Sequence, residues 1–418
     1  MSSLKLDAKP EELLHLASPK IVRERAARIF ERSSDDAPAS RLRIRMDKLE
    51  VATEYVVAEI LRNYPTLQIP PHSRYEHLRA GGRDRIRELD DVIAELGPVE
   101  RARAKTDLVI VAVLLDAGAG AQWSYTEDGK SYARSEGLAV ASYQMFRSGM
   151  FSSDAGHPCR VDANRLSKLT ADDLRKGFQV SDSNPMVGLE GRAELLKKLG
   201  DSCRTQREFF GAAGDGGAAR PGYLVDYAFS QAKGDRVSAV TVLRALLHGL
   251  SGMWPPRAVV GGVAFGDVWH SPLLGDQPSF ETLMPFHKLS QWLAYSLFEP
   301  FAEAGLVFYD ERELTGLPEY RNGGLLLDLG VLELRDPADA TRKHGPDSPL
   351  IIEWRALTIA LLDRLAARVR GKLDKSESEM PLTQILQGGT WLAGRRIAAE
   401  KRPGATPPLD IESDGTVF

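Results

Sequence analysis

The chain has 418 residues, 43% of them hydrophobic and 27% charged, so its length and composition predict a globular protein with a sizeable core and exclude a disordered or collagen-like chain. The 54 Lys and Arg against 58 Asp and Glu leave a net charge of −4, which argues against nucleic acid as the main partner. The two cysteines, Cys159 and Cys203, lack CxxC spacing, which is typical of a reducing compartment.

Neither a signal peptide nor a membrane-spanning segment is expected. The chain begins with a charged helical pattern, and its longest apolar run, from Leu108 to Leu115, is far shorter than the roughly 18 residues needed to cross a bilayer. We therefore expect a cytoplasmic protein that does not bind membranes.

Residues 1–100 are predicted to form an N-terminal helical layer. Amphipathic patterns over 50–63 and 75–96 predict charged helices, and the prolines between residues 65 and 71 predict an extended break.

Residues 101–400 are predicted to form a second, larger helical domain, followed by a loosely ordered tail over 401–418. The pattern over 107–116 is apolar on nearly every side, which predicts a buried helix. Strands are expected only over 259–265 and 305–309, so the fold class is mainly α, with at most a few short strands. Further helices are predicted over 136–147, 170–177, 187–199, 236–249, 281–304, 323–330, 349–371 and 381–397.

The common catalytic motifs are absent from the sequence. It contains no GxGxxG, P-loop, HExxH or Gly-x-Ser-x-Gly pattern, which removes the simplest dehydrogenase, kinase-like, zincin and α/β-hydrolase hypotheses. The histidines are scattered without ligand spacing, so we expect no bound zinc.

A glycine-rich segment contains Asp267 and His270, which are candidates for a proton-transfer pair or a metal pair with His287 as third ligand. The simpler interpretation is that Asp267 caps a helix and His270 binds a backbone carbonyl. On the next predicted helix, spacings of three and four place Lys288, Gln291 or Trp292, and Tyr295 on one face. That face is either exposed to solvent or the wall of a pocket.

Glu319 follows a Thr-Gly-Leu-Pro turn and precedes Tyr320, Arg321 and a glycine pair. It is either a carboxylate that faces a cavity or a helix-entry acid paired with Arg321, and the spacing leaves both interpretations open. Glu353 and Arg355 lie in an apolar helix and each needs a partner. We predict that they support the Glu319 segment.

The segment Leu114 to Trp123, the stretch Leu247 to Trp254 and the Glu319 segment together resemble the uracil-catabolism protein family, which is associated with a route of uracil degradation through ribosylurea. This resemblance extends over most of the chain.

A more distant resemblance is to the queuosine-salvage nucleotide N-glycosidases. It rests on the order Phe286-x-Lys288-x-x-Gln291, then Glu319-Tyr320-Arg321, then Glu353-x-Arg355, with Leu114-Leu115-Asp116 ahead of Trp123. It implies an all-helical fold similar to the helix-hairpin-helix DNA glycosylases and cleavage of a base from ribose 5-phosphate.

The chain departs from those glycosidases at several positions. Glu319 stands where they have an aspartate, and Ala119-Gly120-Ala121 stand where they have aromatic residues that sandwich the base. A pocket without that pair holds a flat bicyclic base poorly, so the resemblance implies a small, non-aromatic leaving group such as urea.

The resulting hypothesis is an N-ribosidase that hydrolyses ribosylurea or its 5-phosphate. Glu319 would stabilise the oxocarbenium-like transition state, and Asp267 or His270 would protonate the departing nitrogen. Substrate binding is expected from Lys288, Gln291, Tyr320, Arg321, Asp116, Trp123 and Trp292, with Glu353 and Arg355 as structural support. The N-ribosidase hypothesis requires neither a metal nor an organic cofactor.

Two alternatives come from other classes. One is a metal-dependent amidohydrolase that acts on a ureide, which would need a cluster of histidines and carboxylates. The other is a non-catalytic helical partner protein of the uracil pathway, in which Glu319 and Lys288 merely pair. The partner we expect is a small nucleoside-like or nucleotide-like molecule, and the sequence does not determine the oligomeric state.

Overall fold

The computed structural model describes residues 4–116, 118–120, 122–212 and 218–412, and they are mainly α-helical with short strands, as predicted. The residues divide into two compact units, both discontinuous in sequence. Unit 1 comprises Met1–His72, Pro255–Gln291 and Arg312–Phe418, and unit 2 comprises Ser73–Trp254 and Trp292–Glu311. This division does not follow the predicted boundaries at residues 100 and 400.

Unit 1 is built around the 25-residue helix Pro349–Leu373, which is buried along most of its length. Ser348 caps it by accepting a hydrogen bond from the Ile351 N–H, and Pro349 occupies the first turn, where a missing N–H costs nothing. The helices Pro19–Ser34 and Leu49–Asn63 pack against it. The other helices of this unit are Pro10–Leu16, Tyr320–Asp328, Leu382–Ile385 and Trp391–Lys401, with a π-helical turn over Leu386–Thr390.

Four small strand assemblies complete unit 1. Leu4–Leu6 pairs in parallel with Ala258–Val260, which continues through a tight turn into Val263–Ala264. The turn residues Gly261 and Gly262 have φ of 53° and 81°, a region that favours glycine. The remaining pairs are Val268–His270 with Leu283–Pro285, Leu42–Ile44 with Leu332–Leu334, and Lys343–His344 with Asp410–Ile411.

Unit 2 is organised around the helix Pro98–Leu114, whose residues 104–114 are all buried. This agrees with the buried helix predicted over 107–116. One hairpin joins Ser124–Glu127 to Lys130–Ala133, and Arg236–Ser238 pairs in parallel with Val307–Tyr309. The other helices are Arg74–Leu78, Arg85–Val92, Arg134–Arg147, Ala163–Leu166, Ala171–Gly177, Leu189–Thr205, Arg207–Phe210, Leu224–Gln231 and Ala239–Gly249.

The helix Lys288–Glu303 contains the boundary between the units, which falls after Gln291. The predicted helix over 281–304 is wrong at its start, because Leu283–Pro285 pairs as a strand and helix begins only at Lys288. The predicted helix over 75–96 is interrupted at Gly81 and Gly82, where φ of 73° and 78° is incompatible with a right-handed helix.

The tail predicted over 401–418 is held at least as far as the strand Asp410–Ile411, and residues 413–418 lie outside the described residues. None of the helices that the structure describes combines the length and the apolar character needed to span a bilayer.

Candidate functional site

Glu319 is the N-cap of the helix Tyr320–Asp328 in unit 1. Its two carboxylate oxygens accept hydrogen bonds of 2.7 Å from the backbone N–H groups of Arg321 and Asn322. Each oxygen retains a further lone pair, so capping fixes the orientation of the carboxylate without using all of its accepting capacity. The helix-entry interpretation therefore describes its local geometry, and it remains compatible with a ligand contact.

Burial raises the pKa of the Glu319 carboxyl above its usual value, although the two backbone N–H groups and the charges of Lys288 and Arg321 oppose the shift. Lys288 thus lies within electrostatic reach of Glu319. It begins a helix directly after His287, whose φ of 50° is rare for a residue with a side chain. His287 is held by a 2.8 Å hydrogen bond to the Leu16 carbonyl.

Asp267 and Arg355 form a buried ion pair beside these residues. The two Nη atoms of Arg355 donate to the two oxygens of Asp267, both over 2.7 Å. Asp267 also accepts from the Trp269 indole N–H at 2.8 Å and from the Lys288 backbone N–H at 3.1 Å. Burial opposes ionisation of Asp267, but Arg355 overcomes it and holds the pKa of the carboxyl well below its usual range.

Asp267 is consequently a carboxylate with no proton to give at neutral pH. Asp267 was predicted as a possible proton donor to the leaving group, but this geometry makes it a positioning residue at the start of the helix Lys288–Glu303. Arg355 extends the same network, because its Nε donates to the Pro318 carbonyl over 3.2 Å and its guanidinium stacks 3.9 Å from the Phe286 ring centroid. Arg355 therefore holds the carbonyl of the residue directly before Glu319.

Glu353 serves a different part of unit 1. Its carboxylate accepts hydrogen bonds from the hydroxyls of Ser33 and Ser40, both at 2.7 Å, and from the Arg41 N–H at 2.6 Å. It thereby fixes the end of the helix Pro19–Ser34. The two-residue spacing from Arg355 explains the divergence, because positions two apart on a helix point in different directions.

Gln291 holds the loop that leads to Glu319. Its amide nitrogen donates to the Phe286 carbonyl and the Thr315 hydroxyl at 3.0 and 2.7 Å, and its amide oxygen accepts from the Thr315 N–H at 2.8 Å. Both amide hydrogens are thus used within the protein. Gln291 was a predicted substrate contact, and the bonds described here are those of a positioning residue.

Tyr320 and Arg321 lie together on the first turn of the capped helix. The Arg321 guanidinium lies 4.8 Å from the Tyr320 ring centroid and donates to the Ala405 carbonyl over 3.2 Å. Arg321 is buried and Tyr320 is half-buried. Arg321 thus places a buried positive charge two residues after Glu319.

His270 points away from this network. It lies on the strand Val268–His270, where successive side chains alternate between faces, and Trp269 is the residue that reaches Asp267. The His270 ring contacts the Gly275 carbonyl instead, with Nε2 and oxygen 3.0 Å apart. This is the simpler interpretation considered above, in which His270 binds a backbone carbonyl.

His72 is a residue of this region that the sequence analysis missed. Its Nδ1 lies 2.7 Å from Gln387 Oε1 and its ring centroid 6.0 Å from that of Trp391. Burial lowers the pKa of His72 to about 4, and the nearby Lys288 charge acts in the same direction. Lys288 therefore interacts electrostatically with both His72 and Glu319.

The π-helical turn Leu386–Thr390 positions Gln387 for this contact. A β-carbon on Gly389 would lie 2.9 Å from Val56, so glycine is needed where the turn meets the helix Leu49–Asn63. π-turns within α-helices are frequent at functional sites. The available signal in the sequence was a glycine pair inside an otherwise helical run over 381–397.

The remaining predicted contacts, Asp116, Trp123 and Trp292, belong to unit 2. Asp116 Oδ2 lies 3.3 Å from Arg74 Nη1, and Arg74 lies 5.7 Å from the Trp292 ring centroid. The Trp123 indole donates to the Phe178 carbonyl at 2.9 Å and packs edge-on to that ring, so Trp123 is a core residue. Of the segment that replaces the aromatic sandwich, Ala121 lies outside the described residues, as does Ala117.

In the described part of the chain, no group of three or more histidines, cysteines and acidic residues is placed to hold a metal ion. One cleft of about 310 Å³ opens on unit 1 among Arg23, Asp363 and Arg370. Glu319 does not line it.

The chain is similar to two named proteins along nearly its full length. It is 39% identical over 432 residues to uracil catabolism protein 4 of Lachancea kluyveri, covering 95% of this chain and 97% of that protein. It is also 39% identical over 420 residues to protein urg3 of Schizosaccharomyces pombe, covering 98% and 99%. A family model described as a protein of unknown function, DUF1688, matches residues 15–418. The chain therefore belongs to the DUF1688 family, and the resemblance to the uracil-catabolism proteins that the Leu114–Trp123 and Glu319 segments indicated is confirmed.

Proposed function

We propose that the protein acts in uracil catabolism and hydrolyses the N-glycosidic bond of ribosylurea or its 5-phosphate, releasing urea. The name of the Lachancea kluyveri relative supports the pathway. The reaction rests on the site in unit 1 and on the resemblance of its residue order to the N-glycosidases.

The observation that carries the proposal is the fixed carboxylate of Glu319. Both of its oxygens are held by backbone N–H groups at 2.7 Å, and the ammonium of Lys288 lies within electrostatic reach. Cleavage of a glycosidic bond places positive charge on the sugar ring. A carboxylate that is already oriented stabilises that charge without the cost of reorganisation.

In the proposed reaction the C1–N bond breaks and its electron pair stays on the urea nitrogen. Water supplies a hydroxyl to C1, and its remaining proton neutralises the departing nitrogen. Glu319 stabilises the oxocarbenium-like state, and Lys288 and Arg321 bind the phosphate of a phosphorylated substrate. Asp267 and Arg355 hold the Lys288 helix and the Glu319 turn in place.

The decisive experiment incubates purified protein with ribosylurea and with its 5-phosphate and measures released urea. Glu319→Gln keeps the size of the side chain and one accepting oxygen but removes the charge, so substrate binding should survive while kcat falls. Loss of one well-placed electrostatic partner lowers kcat by roughly a hundredfold to a thousandfold.

Asp84→Asn is the matched control. Asp84 also caps a helix by accepting from two backbone N–H groups, those of Ile86 and Arg87, but it lies in unit 2. Asp84 accepts both bonds with one oxygen, Oδ1, which asparagine retains, so the variant removes the charge of a capping carboxylate while keeping its cap, and it should leave urea release unchanged. Normal turnover by Glu319→Gln contradicts the proposed mechanism.

The two alternatives predict other results. An amidohydrolase would release ammonia from the ureide and lose activity with a chelator. A non-catalytic partner protein would release no urea from either substrate, whatever residue occupies position 319.

A further inference from the structure

Arg74 in unit 2 uses one nitrogen of its guanidinium, Nη1, for polar contacts, whereas the other two nitrogens, Nε and Nη2, have no hydrogen-bond partner among the described residues. Its Nη1 lies 3.1 Å from His77 Nδ1, 3.2 Å from the Ser135 carbonyl and 3.3 Å from Asp116 Oδ2. Its Nε and Nη2 have no hydrogen-bond partner among the described residues, although the side chain is fully buried. Leaving two donors of a buried cation unbonded is costly.

The Nε and Nη2 atoms lie on the same edge of a guanidinium and together bind two oxygens of a planar anion. Other arginines of unit 2 show how this edge is normally used in the fold, since their Nε and Nη2 both donate to one carboxylate. These pairs are Arg85 with Glu127, Arg103 with Asp226, and Arg220 with Asp107. Arg74 has the same open edge without the carboxylate.

Asp116 contributes a complementary open atom. Its Oδ1 is buried and lacks a partner in the described part of the chain, while its Oδ2 faces Arg74. The site thus presents two adjacent N–H donors and one acceptor. Trp292 lies against the guanidinium, with its ring centroid 5.7 Å from Arg74 Cζ.

We propose that Arg74 and Asp116 form a binding site for a small carboxylate that carries an O–H or N–H group next to the carboxylate. The two carboxylate oxygens bind Nε and Nη2 of Arg74, and the neighbouring donor binds Oδ1 of Asp116. This proposal is argued from unit 2 alone and does not depend on the proposed glycosidic reaction.

The charge of the site favours a carboxylate over a phosphate monoester. Asp116 is itself an anion, so a dianionic phosphate on Arg74 would be repelled at short range. A singly charged carboxylate is repelled less strongly by Asp116. Its neighbouring O–H or N–H group also donates a hydrogen bond to Asp116 Oδ1, which offsets the remaining repulsion. A carboxylate is also planar, so its two oxygens can lie in the plane of the guanidinium and accept from Nε and Nη2 together.

The test measures binding of acetate, glycolate and inorganic phosphate by calorimetry in a buffer free of other oxyanions. Glycolate should bind best, because it combines the carboxylate with a hydroxyl. Arg74→Lys keeps the charge but removes the paired donors, and it should weaken glycolate binding by roughly tenfold to a hundredfold. Arg103→Lys, which disrupts an edge already occupied by Asp226, is the matched control and should leave binding unchanged.

A second variant keeps the proposal testable if Arg74→Lys does not fold. Asp116→Asn removes the like charge, so it should strengthen acetate binding several-fold and reduce the preference for glycolate over acetate. Glu319→Gln should leave all three titrations unchanged, which separates this site from the proposed catalytic carboxylate.

Three results would overturn the proposal. The first is the absence of saturable binding by any probe, which would mean that the open donors bind only water. The second is glycolate binding that is equal in Arg74→Lys and the unsubstituted protein. The third is Arg74-dependent binding of phosphate that exceeds that of glycolate.

Discussion

The substitution Asp267→Asn tests the buried ion pair most directly. Arg355 is 1% exposed and donates to both oxygens of Asp267 over 2.7 Å. The asparagine retains the shape and one accepting oxygen, but it removes the negative charge that Asp267 places beside the guanidinium. Removing one partner of a buried pair lowers the free energy of unfolding by about 3–5 kcal/mol.

The assay is equilibrium denaturation in guanidinium chloride at pH 7, followed by tryptophan fluorescence and circular dichroism. Comparing the two probes shows whether unit 1 and unit 2 unfold in one transition. The double variant Asp267→Asn with Arg355→Met removes the buried guanidinium together with its partner carboxylate. It should therefore recover part of the stability that the single variant loses. A single-variant loss below about 1 kcal/mol would refute a desolvated pair, because that is the range of exposed ion pairs.

The same pair predicts the direction of the pH dependence. The pKa of Asp267 lies below its unfolded value of about 3.9, because Arg355 outweighs the effect of burial. The folded state therefore binds fewer protons than the unfolded state below that pH. The stabilisation is complete above about pH 4 and is lost as the pH falls further, and Asp267→Asn should flatten this loss.

Three further predictions follow from the same unit. Burial lowers the pKa of His72 to about 4, so its imidazole should remain neutral in an NMR titration down to pH 5. The free energy of unfolding should fall by at most about 3 kcal/mol through this group as the pH drops from 6.5 to 4. Titration of His72 near pH 6.5 would contradict its burial. Lys288→Gln should raise the pKa of Glu319 and so move the acid limb of the kcat/KM profile to higher pH. It should also raise KM mainly for a phosphorylated substrate. An acid limb at the same pH in both proteins would show that the ammonium of Lys288 does not act on the carboxylate. Gly394→Ala places a β-carbon 2.2 Å from a backbone oxygen and should cost about 1–3 kcal/mol by thermal unfolding, whereas Gly371→Ala, with nothing within 4 Å, should be neutral or stabilising.

The helical content of the chain was predictable because it depends on local periodicity. The helix Pro349–Leu373 follows its apolar pattern and its Ser-Pro start almost to the residue. The strand Leu283–Pro285 was missed because its partner Val268–His270 is supplied by tertiary contact. Three-residue strands carry too short a pattern to compete with a helical one.

The residues proposed for the candidate site could be selected from the sequence, but the partners that each of them contacts could not. Glu319, Lys288 and Arg355 were selected because polar groups in apolar segments need a local reason. Their partners lie far away in sequence, as Asp267 lies from Arg355, so no spacing rule could pair them. His72 was missed because it follows two prolines in the predicted break between helices and its partner Gln387 lies far away in sequence.

The open edge of Arg74 was also beyond sequence reasoning, because an arginine in a sequence carries no sign of whether its donors are used. Only the count of bonds around each nitrogen distinguishes it from Arg85, which is equally buried but fully paired with Glu127.

The discontinuity of unit 1 has a consequence for synthesis on the ribosome. The strand Leu4–Leu6 pairs with Ala258–Val260, and Ser33 of the helix Pro19–Ser34 donates to Glu353. Both partners are synthesised much later than the first seventy residues, which therefore leave the ribosome before they can form these contacts. The buried face of that helix is meanwhile exposed as a nascent chain, a state prone to aggregation and to chaperone capture. C-terminal truncations that remove the helix Pro349–Leu373 should therefore yield insoluble protein even though the N-terminal segment is intact.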